Sequence, residues 1–376
     1  MKKALSYALG LFVGLLVVAP RIDYTIPVVI NSYWWLYAVV VCVFLSFYSV
    51  HLRLPAGIKL LGVYLLVNCF FSQAPYVSFN AFILTTVALF CFLALLHSDF
   101  EVVTDFISAA FFVQVVFILF QQFGMDKLMN FDRPEAVFFG TVMQYMRLSS
   151  VFALMAPFLC MRNKWFIAPL VLLAVLSSSS SFALALTAGV FVYWVFKTRQ
   201  WFVATILGTV FVALFIARDW ESWYAELHWG RWTVWPEIVK SWVMNTLHAE
   251  PAHLTGPVDW KAIFLGRGLD TFLPLFPLFK HDPNPFPQAH NDFLQIFWEL
   301  GVLGFGFFAA YFVNLIRRLR RCPMYLAGMA CVGVNMFFTF PTRMTQTMFM
   351  LLAFVALCEQ KARQIDEEGD YSYHLT

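Results

Sequence analysis

The run Ala81-Phe-Ile-Leu-Thr-Thr-Val-Ala-Leu-Phe-Cys-Phe-Leu-Ala-Leu-Leu96 carries no charged side chain. A helix over 80–97 has the length needed to cross a hydrocarbon core of about 30 Å. Comparable runs recur on both sides of it, and they predict helices at 5–20, 33–50, 57–72, 80–97, 105–121, 147–161, 165–177, 182–196, 201–217, 292–315, 324–340 and 344–358. The expected fold is therefore all-α: a polytopic transmembrane bundle of about twelve spans.

Composition agrees. The 376 residues are 61% hydrophobic and 12% charged, with a mean hydropathy of +0.72. A soluble domain is about 45–50% apolar and about 25% charged, so the excess has to face something other than water. Aromatics reach 19%, with 44 Phe, which suits a lipid-facing and interfacial surface. The net charge of +3 is too small to suggest nucleic acid as a partner; membrane lipids are the expected surroundings. Six of the seven cysteines lie in apolar runs, and Cys322 abuts a basic cluster, so neither a disulfide framework nor a cysteine metal site is indicated. Met1-Lys2-Lys3 before an apolar run resembles a signal peptide, but no small-x-small cleavage site follows, so a first membrane helix is the reading.

Lys and Arg set the orientation. With the N-terminus inside, thirteen basic residues fall in inward segments, Arg162, Lys164, Lys197 and Arg317 among them. Five fall at the outward mouths: Arg21, Lys127, Arg133, Arg147 and Arg343. The chain then divides into helices over 1–217, an outward loop over 218–291, helices over 292–360 and an inward tail over 361–376. Gln364 to Thr376 reads as disordered.

The loop holds seven of the thirteen Trp, a residue that favours the headgroup layer. Trp232, Trp235, Ile238 and Trp242 recur at helical spacing, predicting an amphipathic helix over 231–245 lying along the membrane. Pro236 argues for a bend or a late start.

Chemistry concentrates in Gln288-Ala-His290-Asn291-Asp292-Phe-Leu-Gln295-Ile-Phe-Trp298-Glu299-Leu-Gly301-Val-Leu-Gly304. Asp292 with Gln295 matches a helix-start box, which puts His290 just ahead of a helix N-terminus. Asp292, Gln295 and Glu299 share one helical face, with Glu299 about 10 Å below the cap. An ionisable group at that depth usually meets a partner or a wet cavity, though a Glu satisfied by neighbouring hydroxyls is the plain alternative. Upstream, Gly230-Arg231 opens the surface helix, and Gly266-Arg267-Gly268 could let backbone approach a ligand closely. Arg suits phosphate because its planar fork donates bidentate, charge-assisted hydrogen bonds. The bland reading of each Arg is a lipid-headgroup anchor. His248-Ala-Glu250-Pro-Ala-His253 has metal-like spacing, but Pro251 prevents a regular helix from presenting both His on one face.

The order Gly230-Arg231 with Trp235, then Gly266-x-Gly268, then Ala289-His290-Asn291-x-x-Leu294 with Glu299-x-Gly301-x-x-Gly304 resembles the O-antigen ligase and polymerase family. The motifs span about 230–305. The resemblance implies a glycosyltransferase of the bacterial inner membrane, working at its outer face with neither metal nor other cofactor. Its donor would be an undecaprenyl-diphosphate-linked glycan, and its acceptor lipid A core in a ligase, another glycan in a polymerase, or a protein. It further implies that Arg231 holds the donor diphosphate and that His290 activates the acceptor hydroxyl. Arg267, Gly266, Gly268, Asn291 and Glu299 would contribute to the substrate site. The chain departs from the family where a Ser-Arg pair is usual after the seventh helix: here Ser177 to Ser181 runs into Phe182. Arg147 is the alternative cation. A transporter of an amphiphile is the competing class; it would place charge near the bilayer midplane. A scaffold would leave Arg231, His290 and Glu299 unexplained.

Overall fold

The computed structural model describes residues 2–18, 55–122, 145–176, 179–200, 232–244, 257–279, 289–343 and 345–373, with scattered positions between 202 and 213. Among them the chain is all-helical; the one β feature is an isolated bridge between Met244 and Val258. Seven helices precede the long loop: α1 (Lys2–Val18), α2 (Ala56–Phe71), α3 (Pro75–Leu96), α4 (Phe100–Gln122), α5 (Tyr145–Arg162), α6 (Ile167–Leu176) and α7 (Ser180–Thr198). The loop region contributes α8 (Trp232–Val243), α9 (Trp260–Leu265) and α10 (Phe272–Leu275). The chain closes with α11 (Asp292–Arg318), α12 (Pro323–Phe338) and α13 (Thr345–Tyr373).

Four of the described helices are long and apolar enough to cross a membrane: Pro75–Leu96, Phe100–Phe120, Ser181–Thr198 and Asp292–Arg318. Lys3–Leu15, Ala56–Phe71, Leu148–Arg162, Lys164–Val175 and Pro323–Phe338 are apolar but shorter. The described residues thus bear out an all-helical chain with these apolar helices, and not a count of twelve spans. The helix expected over 33–50 lies outside the described residues, and that over 201–217 is described only in part.

The bundle is organised around α5, in which every residue from Leu148 to Leu159 is buried. It packs against α4, α7, α12 and α13, so no face of it is left for solvent. Pro157 has no N–H for the carbonyl of Ala153, and the thiol of Cys331 on α12 donates to that carbonyl instead, at 3.3 Å. Outer helices show the opposite pattern. Leu11, Val63, Phe70, Phe112, Leu119 and Leu172 are each more than two-fifths exposed, along the outward faces of α1, α2, α4 and α6. Large exposed apolar side chains on several helices at once fit a hydrocarbon environment.

Two expectations need correction. The tail does not begin as a disordered segment at Gln364, because α13 continues to Tyr373. Ala362 is buried, Ile365 packs on the core, and Arg318 holds both Glu359 (3.1 Å) and Asp366 (2.7 Å). These contacts extend the helix past the apolar run. The helix expected over 231–245 is present as α8, but its apolar stripe is turned into the protein. Val234 and Ile238 are buried with Phe272, Phe276, Phe279 and Trp298. A short helix with that many aromatic partners loses more apolar surface against protein than by lying on a headgroup layer.

Candidate functional site

The site grows from a break in α11. Gly301 has φ 64 and ψ −170, a left-handed conformation unlike the helix on either side. The regular i to i−4 ladder therefore fails across it, and three carbonyls at the end of the first segment need other donors. Each has one. The N–H of Arg267 donates to Trp298 O at 3.2 Å, and that of Gly268 to Glu299 O at 2.9 Å. The Tyr64 hydroxyl donates to Leu300 O at 2.6 Å.

The strip 265–269 that supplies two of these donors is itself irregular backbone, satisfied from α2 and α3. Asn68 Nδ2 donates to Leu265 O at 2.6 Å, and the Leu269 N–H donates to Asn68 Oδ1 at 3.0 Å. Ser78 Oγ donates to Leu269 O at 2.9 Å, and the Gln73 N–H to Arg267 O at 2.9 Å. Irregular backbone that is buried away from water needs such partners for its N–H and C=O groups. Gly266, at φ 76, lies so close to the α11 backbone that a Cβ there would overlap the carbonyl of Glu299. The Gly-x-Gly and Glu-x-Gly segments are thus two halves of one joint.

Arg267, between those glycines, is turned into the protein. It is fully buried, and its terminal nitrogens donate to the carbonyls of Ser241 and Met244 (the latter at 2.8 Å) and to Gln73 Oε1 at 3.1 Å. Asp259 lies 3.6 Å away, and the rings of Phe279 and Trp298 flank the guanidinium at 4.2 and 5.6 Å. Burial pushes its pKa down to about 10, with Asp259 opposing, so it stays charged at neutral pH. Where a substrate contact was expected of it, the terminal nitrogens of Arg267 are taken up by protein oxygens, and it clamps α8 to the joint.

The polar stripe of α11 is real and faces the turn Phe340-Pro341-Thr342-Arg343. Asp292 accepts from the Thr342 N–H (3.0 Å) and hydroxyl (2.6 Å). Glu299 Oε2 accepts from Arg343 (2.6 Å) and from the Asp270 N–H (3.0 Å), and its Oε1 from Gln295 (3.1 Å). Arg343 also pairs with Asp270 at 2.7 Å. Burial opposes its charge, but Glu299, Asp270 and Asp292 together hold its pKa above the ordinary arginine value. Its Nε is buried and has no hydrogen-bond partner among the described residues.

The cap is Asn291, not Asp292: Asn291 Oδ1 accepts from the Leu294 N–H at 3.0 Å. Gln295 completes the start by accepting from the Ala289 N–H at 3.2 Å. His290, immediately before the cap, has φ 51 and is half-buried. Its ring meets Phe340 edge-on, centroids 4.9 Å apart. The indole N–H of Trp235 donates to Ala289 O at 3.0 Å, which ties the first turns of α8 to the histidine's neighbour.

The structure thus gathers His290, Asn291 and Glu299 on one end of α11, with Gly266 and Gly268 locked to its break. Arg231 lies outside the described residues, and so does the side chain of Arg147, whose backbone belongs to α5. The segment His248 to His253 also lies outside them. Sequence reasoning passed over Arg343, Asp270, Thr342 and the α2–α3 residues Tyr64, Asn68 and Ser78. Arg343 stood out only as an outward basic residue, and nothing in its spacing signals Glu299. Comparisons with protein-family models, curated proteins and solved structures give no match for this chain.

Proposed function

We propose that this chain is a membrane glycosyltransferase that moves a glycan from an undecaprenyl-diphosphate donor to an acceptor hydroxyl at the outer face of the bacterial inner membrane, in the manner of an O-antigen ligase. The observation that carries this reading is the setting of His290. It is a half-buried imidazole held at positive φ, one residue ahead of a capped helix, beside a turn that presents Arg343. An imidazole with an ordinary pKa near 6.5 can accept a proton from a sugar hydroxyl at neutral pH. The hydroxyl oxygen would then attack the anomeric carbon as its bond to the diphosphate oxygen breaks, with inversion; the proton ends on His290 and the electron pair on the departing diphosphate. Arg231, next to the first residue of α8, is the cation assigned to that leaving group. Arg343, anchored by Glu299 and Asp270, is a positioning residue that holds the 340–343 turn against the histidine.

Deleting the gene and resolving cell-surface glycan on a gel tests the activity. Loss of long chains from lipid A with accumulation of undecaprenyl-linked polymer is the ligase outcome. One repeat unit left on the core points to a polymerase, and unchanged glycan removes the proposal. Complementation with His290→Ala or Arg231→Ala is expected to restore protein to the membrane without restoring transfer.

One observation favours transport as a second reading: discontinuous helices like α11 often form substrate sites in transporters. Against it, each of the carbonyls exposed by the break already accepts from the Arg267 N–H, the Gly268 N–H or the Tyr64 hydroxyl. Normal glycan together with loss of uptake of an amphiphile would establish the second reading.

A further inference from the structure

At the opposite end of the bundle, α5, α7 and α12, with Lys164 and Ile167, line an open cavity of about 290 Å³. Pro157, Leu186, Val190 and Cys331 are among its apolar walls, and among the described residues Lys164 and Lys197 are the two charged ones that line it, with no acidic one. The volume is about ten times a water's share of the liquid, yet an apolar cavity offers water few partners. Lys197 Nζ donates to the Tyr193 hydroxyl at 2.8 Å and lies 5.1 Å from that ring's centroid, which holds the ammonium at the cavity wall. The neighbouring Arg162 is turned away and paired with Asp105 at 3.1 Å. The exposed side chains of Trp165 and Trp194 flank the lysines, as expected at a headgroup layer.

From this combination we infer a binding site for one anionic phospholipid of the leaflet at this end, its phosphate between Lys164 and Lys197 and one acyl chain in the cavity. A free phosphate would match the lysines but not the walls, and a zwitterionic lipid would match the walls but gain little from two uncompensated ammonium groups. The site lies at the far end of the bundle from His290, so it stands or falls independently of the transferase reading.

The test is native mass spectrometry of the detergent-purified full chain, offered equimolar phosphatidylglycerol and phosphatidylcholine. The native chain is expected to retain a single phosphatidylglycerol with about tenfold preference or more, on the scale set by two lysines at an anionic surface. Lys164→Ala with Lys197→Ala should abolish the preference, and the corresponding pair of Arg substitutions should keep it. Leu186→Trp, which adds bulk at a buried wall of the cavity and leaves both charges, should lower retention by itself and serves where the double variant is poorly folded. Equal retention of the two lipids by the native chain, undiminished preference in the double Ala variant, or displacement of the lipid by millimolar inorganic phosphate would each overturn the inference.

Discussion

The two ends of α11 solve the same problem, charge near a membrane, by different means. At the Asp292 end, the charged groups are buried and paired within the protein: Glu299 to Arg343, Gln295 and the Asp270 N–H, the terminal nitrogens of Arg267 to three carbonyl or amide oxygens, with two rings beside its guanidinium. At the Arg318 end the network includes exposed partners: Arg318 reaches Glu359 and Asp366, and Asp366 is more than half exposed. The difference teaches where specificity lies. A buried network of paired charges makes removal of one partner costly, whereas an exposed pair exchanges protein for water with little change in free energy.

Four substitutions test that contrast, in order of expected effect. Gly266→Ala combines positive φ with an overlap on the Glu299 carbonyl, and a loss on the order of 4 kcal/mol is expected. The readout is the yield of monodisperse protein by fluorescence-detected size exclusion; native-like yield would mean the joint can open. Arg267→Met keeps apolar volume but strips the carbonyls of Ser241 and Met244 of their donor and leaves Asp259 without its cation. A cost of about 3–5 kcal/mol, read as a lower apparent melting temperature in detergent, is the expectation. An unchanged melting temperature would show that the two ends do not differ in kind. Glu299→Gln keeps an acceptor for the Asp270 N–H but removes the charge facing Arg343, and should cost about 1–3 kcal/mol by the same measurement. Asp366→Ala, at the exposed end, should cost no more than about 1 kcal/mol, and a larger drop would place that network with the buried one.

Much of the candidate site was legible. The stripe Asp292, Gln295, Glu299 follows from helical spacing alone, and the structure buries all three. The Gly-rich segments stood out by type and were read as closeness to a ligand; in the structure Gly266 abuts the backbone of α11 and Gly268 abuts the side chains of Ser72 and Ser78. Arg267 illustrates why: an arginine between glycines looks identical in sequence whether it faces a phosphate or Ser241 and Phe279. Arg343 was illegible for a related reason, since 44 positions separate it from Glu299 and only the packing of α11 on α13 and its preceding turn brings them together.

The amino-acid order alone determined that this chain is apolar and helical, where most helices run, and which face of α11 is polar, because these depend on local hydropathy and the 3.6-residue repeat. Tertiary structure decided that α11 breaks at Gly301, that the 265–269 strip fills the break, and which arginine clamps backbone and which meets carboxylates. Those outcomes depend on where distant donors and acceptors end up once water is excluded, and no local pattern encodes that pairing.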